Sequence, residues 1–105
     1  MAASNGPKSL GHLMIMVHSG KHLPKMDPLL GKIDPYVVVK LIDPNNPGVA
    51  LKTHKTKTVE KNYNPRWKEK WTKNLKRFSA YPIIEFELWD QDKASKDDFG
   101  GRAVI

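Results

Sequence analysis

Short segments of alternating apolar and polar side chains, separated by Pro, Gly and Asn, leave this chain few architectures. In PIIEFELWD, residues 82–90, Ile84, Phe86 and Leu88 fall on one side, and Glu85 and Glu87 on the other. A period of two marks a strand with one buried face. LGHLMIMVHSG, residues 10–20, repeats the pattern, with Leu13, Ile15 and Val17 opposed to His12, Met14, Met16 and His18. YVVVKLI, residues 36–42, is short and β-branched, a second strand. DPNNPGVA reads as a turn, and LKTHKTKTVEK, residues 51–61, as a Thr-rich strand with Lys55, Lys57 and Lys61 on one face. RWKEKWTKNL fits a strand or a short helix, because Trp67 and Trp71, four apart, satisfy both periods. RAVI, at the end, begins a sixth strand. Six short strands with turn-rich joints and no convincing helix predict an all-β antiparallel sandwich or barrel.

The chain has 105 residues, enough for one small domain, with three Trp, three Tyr and three Phe to fill a core. Residues 1–9 are polar and read as a flexible N-terminal segment, which leaves 10–105 as the domain. No apolar run is long enough to span a bilayer. MAASNGPKSLGH lacks the basic and apolar regions of a secretory signal, and Ala2 argues against myristoylation. Without Cys there is no disulfide framework, thiolate nucleophile or Cys-based zinc site. The expected location is cytoplasmic.

The net charge of +7 is unevenly placed. Residues 52–77 hold ten Lys and Arg against Glu60 and Glu69, so the positive charge forms a central block. Near the C-terminal end, WDQDKASKDDFGG crowds Asp90, Asp92, Asp97 and Asp98 together. This asymmetry predicts a basic face and a separate acidic site.

Asp90 and Asp92 are two apart at the end of a strand, so both side chains leave on the same side, and Asp98 follows after a short loop. Asp27 and Asp34 bracket a second loop, held compact by Pro28, Gly31 and Pro35. If both loops sit at one end of a sandwich, five carboxylates converge. Two like charges 4 Å apart repel by roughly 4 kcal/mol at an effective dielectric near 20, so such a cluster needs a neutralising cation. Calcium suits it, since it takes about 6–8 oxygens in a flexible shell. An EF-hand starting at Asp90 is excluded, because Ser95 stands where that loop needs Gly and Gly101 where it needs Glu. The plainer reading, that these acids are solvated turn residues, remains open at this level.

LPKMDPLLGKIDPYVVVKL, KTKTVEKNYNPRWKE and FELWDQDKASKDDFGG occur in an order and spacing that resemble the C2 domain, the calcium- and phospholipid-binding module first described in protein kinase C. The likeness runs from Leu10 to Ile105. It implies a Greek-key β-sandwich of eight strands, of which six are counted here, so the domain is expected to be truncated after the sixth strand. A partner would then supply the missing strands by exchange or edge pairing, with a tendency to self-associate. The resemblance implies Ca2+ ligands at Asp27, Asp34, Asp90, Asp92 and Asp98. Backbone oxygens of Met26 and Gln91 would add to these, with Ser95 at an outer site, and Asp97 is expected to face solvent. It implies a phosphoinositide-binding face at Tyr36, Lys40, Lys55 and Trp89. Val38 and Thr53 stand where the best headgroup binders carry Lys, and Lys52 and Lys57 are the substitutes. Lys73 stands where the family has an inward aromatic, so that strand is expected to end early or be displaced. Met26, Leu29 and Leu30 on the first loop tip either enter the acyl boundary or pack on the loop's own base, and Lys93 suits anionic headgroups.

The expected function is calcium-dependent binding of anionic phospholipid, phosphatidylserine or phosphoinositide, that brings an attached domain or partner reversibly to a membrane. The alternative is a calcium-independent basic module for phosphoinositides, protein partners or, less favoured, nucleic acid. Against nucleic acid, Trp67 and Trp71 read better as core than as stacking platforms, and acidic loops repel a polyanion. Against an enzyme, the aspartates have no nucleophile, positioned His or Gly-rich phosphate loop beside them.

Overall fold

The computed structural model describes residues 11–23, 33–75, 81–93 and 95–105. It contains β1 (His12–Ser19), β2 (Pro35–Asp43), β3 (Asn46–Lys55), β4 (Arg66–Asn74), β5 (Ile83–Asp90) and β6 (Asp98–Val104). β1 and β4 form one sheet, and the second has the order β3-β2-β5-β6. Every pairing is antiparallel. The chain passes between sheets after β1, β3 and β4, which is Greek-key winding. No helix occurs among the described residues.

The apolar stripes read from the sequence become the space between the sheets. Ile15 and Val17 of β1 and Trp67 of β4 face Val37, Val39 and Leu41 of β2, all buried. Leu13, Trp71, Ile84, Phe86 and Leu88 pack around them. Burying each such side chain stabilises the fold by about 1.5–3 kcal/mol, so the two sheets form a single cooperative core. The opposite side of β1 is wet, with Met14 65% and Met16 54% exposed.

The ambiguity over residues 66–75 resolves to a strand. Trp67, Glu69 and Trp71 lie at period two, and each meets the other sheet. The Trp67 indole N–H donates to Pro35 O at 3.3 Å. Glu69 Oε1 lies 3.3 Å from His54 Nε2 of β3, and the Trp71 ring stacks on the same His54 at 5.4 Å. Lys73 does not end the strand early: it pairs with Leu13, and its Nζ lies 5.7 Å from the Trp71 ring. The long aliphatic stem lets a lysine hold this position while its charge rests against an aromatic face.

The third strand starts and stops earlier than its composition suggests. Asp43 Oδ1 accepts Asn45 N–H at 2.9 Å, and this side-chain turn makes the reversal tight enough for β3 to begin at Asn46. Pro47 is tolerated because β3 is an edge of its sheet. β3 ends at Lys55, so Lys57 and Lys61 leave the ladder. β6 likewise begins at Asp98 rather than at Arg102, because Asp98 and Phe99 pair with Asp90 and Trp89.

β1, β3 and β5 all finish at the end where β2, β4 and β6 start. The three connections there, residues 20–34, 56–65 and 91–97, are called loops one, two and three. The bases of loops one and two are zipped together. Gly20 N–H donates to Pro65 O at 2.9 Å, Leu23 N–H to Tyr63 O at 3.0 Å and Asn62 N–H to Ile33 O at 2.9 Å. Loop three joins them through Gln91 N–H on Asp34 O at 3.0 Å.

Candidate ion and lipid site

Asp34 and Asp90 carry the junction between loops one and three. Asp90 is 7% exposed at the end of β5, and its Oδ1 accepts Asp34 N–H at 2.9 Å. Asp34 Oδ1 in turn accepts Lys61 N–H from loop two at 2.7 Å. The register sets Asp98 beside Asp90. Cross-strand neighbours lie within about 5.5 Å, so Asp98 neighbours Asp90, while Asp34 reaches Asp90 through its backbone N–H. Asp92 is engaged locally: its two oxygens accept from Ser95 N at 3.2 Å and from Ser95 Oγ at 2.8 Å. Ser95 therefore braces Asp92.

Among the described residues no three acidic or His side chains are placed close enough to hold a metal ion. Asp27 and Met26, expected to complete the set, and Leu29 and Leu30 of the tip lie outside the described residues. The described donors are all oxygen and include one buried carboxylate. That chemistry fits a hard cation such as calcium and not a soft one. Lys93, exposed, bridges to Glu60 Oε1 at 3.5 Å and so ties loop three to loop two.

The expected lipid face assembles on the outer side of the four-stranded sheet, but not completely. Tyr36, Lys40, Lys55 and Trp89 share that side, since Tyr36 pairs with Trp89 and Val38 with Lys55. Lys55 Nζ lies 4.3 Å from the Tyr36 ring centroid. Trp89 meets Phe99 edge to face at 5.3 Å. Lys52 does not join them: it pairs with Leu41, a core residue, and so sits on the other side of the sheet. The bulges between Leu41, Ile42 and Asp43 lie immediately beyond that pair. Lys57 lies just past the end of β3. Two acids temper the face. Lys40 pairs with Glu87 at 2.9 Å, and Arg102 with Glu85 at 3.6 Å. Burial acts to raise the Glu87 pKa, but hydrogen bonds from Lys40 and Trp89 outweigh it and hold the carboxyl below its ordinary value.

Asp97, expected to face solvent, is half-exposed but has both oxygens engaged. Its Oδ2 accepts the Tyr36 hydroxyl at 2.5 Å, and its Oδ1 accepts Asp92 N–H at 3.0 Å. Asp97 is thus a strut between Tyr36 of β2 and the acidic loop. Burial, with the Asp97 carboxylate next, pushes the Tyr36 phenol up to about 12. The same phenol, followed by Asp92 N–H, draws Asp97 below the usual carboxylate range. Sequence reasoning missed this contact because its partners are 61 positions apart.

An antiparallel Greek-key sandwich with acidic loops at one end and a lysine-bearing outer face defines a small β-sandwich binding module. The C2 domain family model matches residues 11–105, and the chain belongs to that family. It is 37% identical over 101 residues to rat multiple C2 and transmembrane domain-containing protein 1, covering 96% of this chain and 10% of that protein. It is 40% identical over 94 residues to the rat E3 ubiquitin-protein ligase NEDD4, covering 87% of this chain and 10% of that protein. The chain therefore spans about a tenth of the length of these curated relatives. Among solved structures it resembles the C2A domain of plant extended synaptotagmin 1, with TM-score 0.76 and 27% identity over 92% of this chain and 69% of that one. It also resembles the Drosophila RIM C2A domain, with TM-score 0.75 and 25% identity over 95% of this chain and 77% of that one. Family membership supports a membrane- and lipid-binding module in general terms. No helix of the described residues is long and apolar enough to cross a membrane.

Proposed function

We propose that this domain is a non-enzymatic module that binds anionic phospholipid in response to calcium. The observation that carries the reading is the hydrogen bond from the Asp34 backbone N–H to the buried Asp90 carboxylate, which ties a loop-one aspartate to a loop-three one, with Asp98 paired to Asp90 across the strands. Asp34, Asp90, Asp92 and Asp98 would hold the ion, and Asp27 is the expected fifth ligand. A bound divalent cation supplies neutralising charge and an attachment for phosphate oxygens. Without it the acidic loops repel an anionic surface. Lys40 and Lys55 add attraction of about 1 kcal/mol each near such a surface. Trp89, half-buried, has an amphipathic ring that suits the interfacial layer.

Calorimetric titration with calcium tests this directly. Saturable heat is expected in the wild type and none in Asp90→Asn/Asp92→Asn. Pelleting with phosphatidylserine vesicles is expected in calcium and not in EDTA. Equal pelleting in EDTA would replace this reading with the calcium-independent basic module.

A further inference from the structure

A second basic site lies on the other sheet, at the same end of the molecule. A cavity of about 590 Å³ is lined by His18, Ser19, Lys21, Asn64, Arg66 and Lys68. Its three cations belong to two chain segments that meet only in the fold. Among the described residues, no ion pair engages Lys21, Arg66 or Lys68. The lining includes no acid. Asn64 spends its Oδ1 on His22 N–H at 2.9 Å, which leaves its amide NH2 as a donor. Ser19 Oγ lies 3.2 Å from His18 Nδ1.

Backbone geometry concentrates the charge. Between the Val17–Glu69 and Ser19–Arg66 pairs, β4 contains one more residue than β1, a β-bulge. Simple counting from Glu69 would set Arg66 opposite Gly20; the bulge draws it level with Ser19. Lys68, inside the bulge, has φ of +50°, a left-handed conformation uncommon for a residue with a Cβ. Such conformations cost of order 1–3 kcal/mol and persist where the surrounding structure imposes them. Bulges re-aim side chains at functional rims. Here the bulge sets Arg66 and Lys68 beside His18 and Ser19.

We infer that the cavity between the end of β1 and the start of β4 binds the phosphate groups of an anionic lipid headgroup, as a second contact point beside the acidic loop corner. This rests on the membrane reading above for the source of the phosphate. Arg matches phosphate with a two-pronged donor fork and Lys with a point charge, while the Ser hydroxyl and Asn amide add neutral donors. The volume lies within the range of sites that hold small polar molecules. The position is suitable because the zipped bases of loops one and two join the cavity rim to Asp34.

The test is run in EDTA, so that it does not depend on calcium. Amide NMR is recorded while inorganic phosphate, and separately inositol trisphosphate, is added. Saturable shifts are expected at Ser19, Gly20, Lys21 and Arg66. They should vanish in Arg66→Gln/Lys68→Asn and persist in Lys40→Gln/Lys55→Gln. Asn is chosen at position 68 because it tolerates positive φ. Lys21→Gln, outside the bulge, is the second variant should the first fail to fold. Vesicles of phosphatidylcholine with phosphatidylinositol bisphosphate, pelleted in calcium, then identify the source. Each removed cation is expected to weaken vesicle binding about fivefold, and the pair about thirtyfold. Absence of saturable shifts at these amides overturns the site. Saturable shifts with vesicle binding like the wild type overturn the lipid as its source. Loss of calcium response alone would sink the proposed calcium switch and leave this site standing.

Discussion

Replacing Tyr36 by Phe removes one oxygen from the strut between β2 and loop three. The ring remains, so packing within β2 and the contact with Lys55 Nζ at 4.3 Å are retained. What is lost is the hydroxyl's bond to Asp97 Oδ2 at 2.5 Å. A hydrogen bond to a charged group contributes about 1.5–3 kcal/mol. Asp97 is partly open to water, which argues for the low end, about 1.5 kcal/mol. For a domain of this size that lowers the melting temperature by about 6–10 °C. The pH dependence has a definite sign. The phenol's folded pKa of about 12 exceeds its ordinary 10.0, so the bond stabilises the fold fully below pH 10.0 and is lost as pH rises toward 12. Ultraviolet titration of the wild type should show a late tyrosine ionisation, and Tyr36→Phe should abolish that late step. Asp97→Asn keeps one acceptor oxygen for Asp92 N–H, sets an NH2 where Oδ2 accepted the phenol, and should also abolish the late tyrosine step. Co-melting of Tyr36→Phe with the wild type, or a late tyrosine step that survives in Tyr36→Phe, would refute the strut.

Thr56 is 2% exposed, and its Oγ1 accepts Val37 N–H at 2.9 Å while donating to Lys57 O at 2.9 Å. Thr56→Val leaves a buried backbone donor without its partner and should cost about 1–3 kcal/mol in urea unfolding, whereas Thr56→Ser should cost much less. Lys40→Ala removes the 2.9 Å partner of Glu87 and leaves burial as the dominant influence. The Glu87 carboxyl, followed by carbon NMR, should therefore titrate at higher pH than in the wild type. The stability that this depressed carboxylate contributes above its unfolded pKa, lost as pH falls, should shrink by about 0.5–1 kcal/mol. An unmoved Glu87 titration would show that Lys40 is not what holds it charged.

Much of the fold was legible because strand alternation is a local property. Leu13, Ile15 and Val17 had to leave one side of β1 wherever that strand was placed, and the core confirms it. Trp67 and Trp71 were not assignable, because a spacing of four suits both periods. Only the opposing sheet, with Pro35 O and His54 as partners, settles them as strand residues facing inward. Strand limits failed for a similar reason. Composition extends β3 through Lys61, but pairing with β2 ends at Lys55, and Lys61 N–H is instead spent on Asp34.

The candidate site divides in the same way. The one-dimensional pattern determined that acids bracket two loops and that lysines crowd the middle of the chain, because spacing and composition are visible without a fold. It also determined the family, through motifs whose order and spacing need no coordinates. Tertiary structure alone decided which charges meet. It put Asp34 against Asp90 across 56 positions and Tyr36 against Asp97 across 61. It sent Lys52 to the core side of its sheet and drew Arg66 beside Ser19 through a bulge. The physical reason is that register and bulges are set by packing between strands distant in sequence, and a shift of one residue exchanges the faces of a strand. A carboxylate or an ammonium becomes a site only once that register has chosen its neighbours.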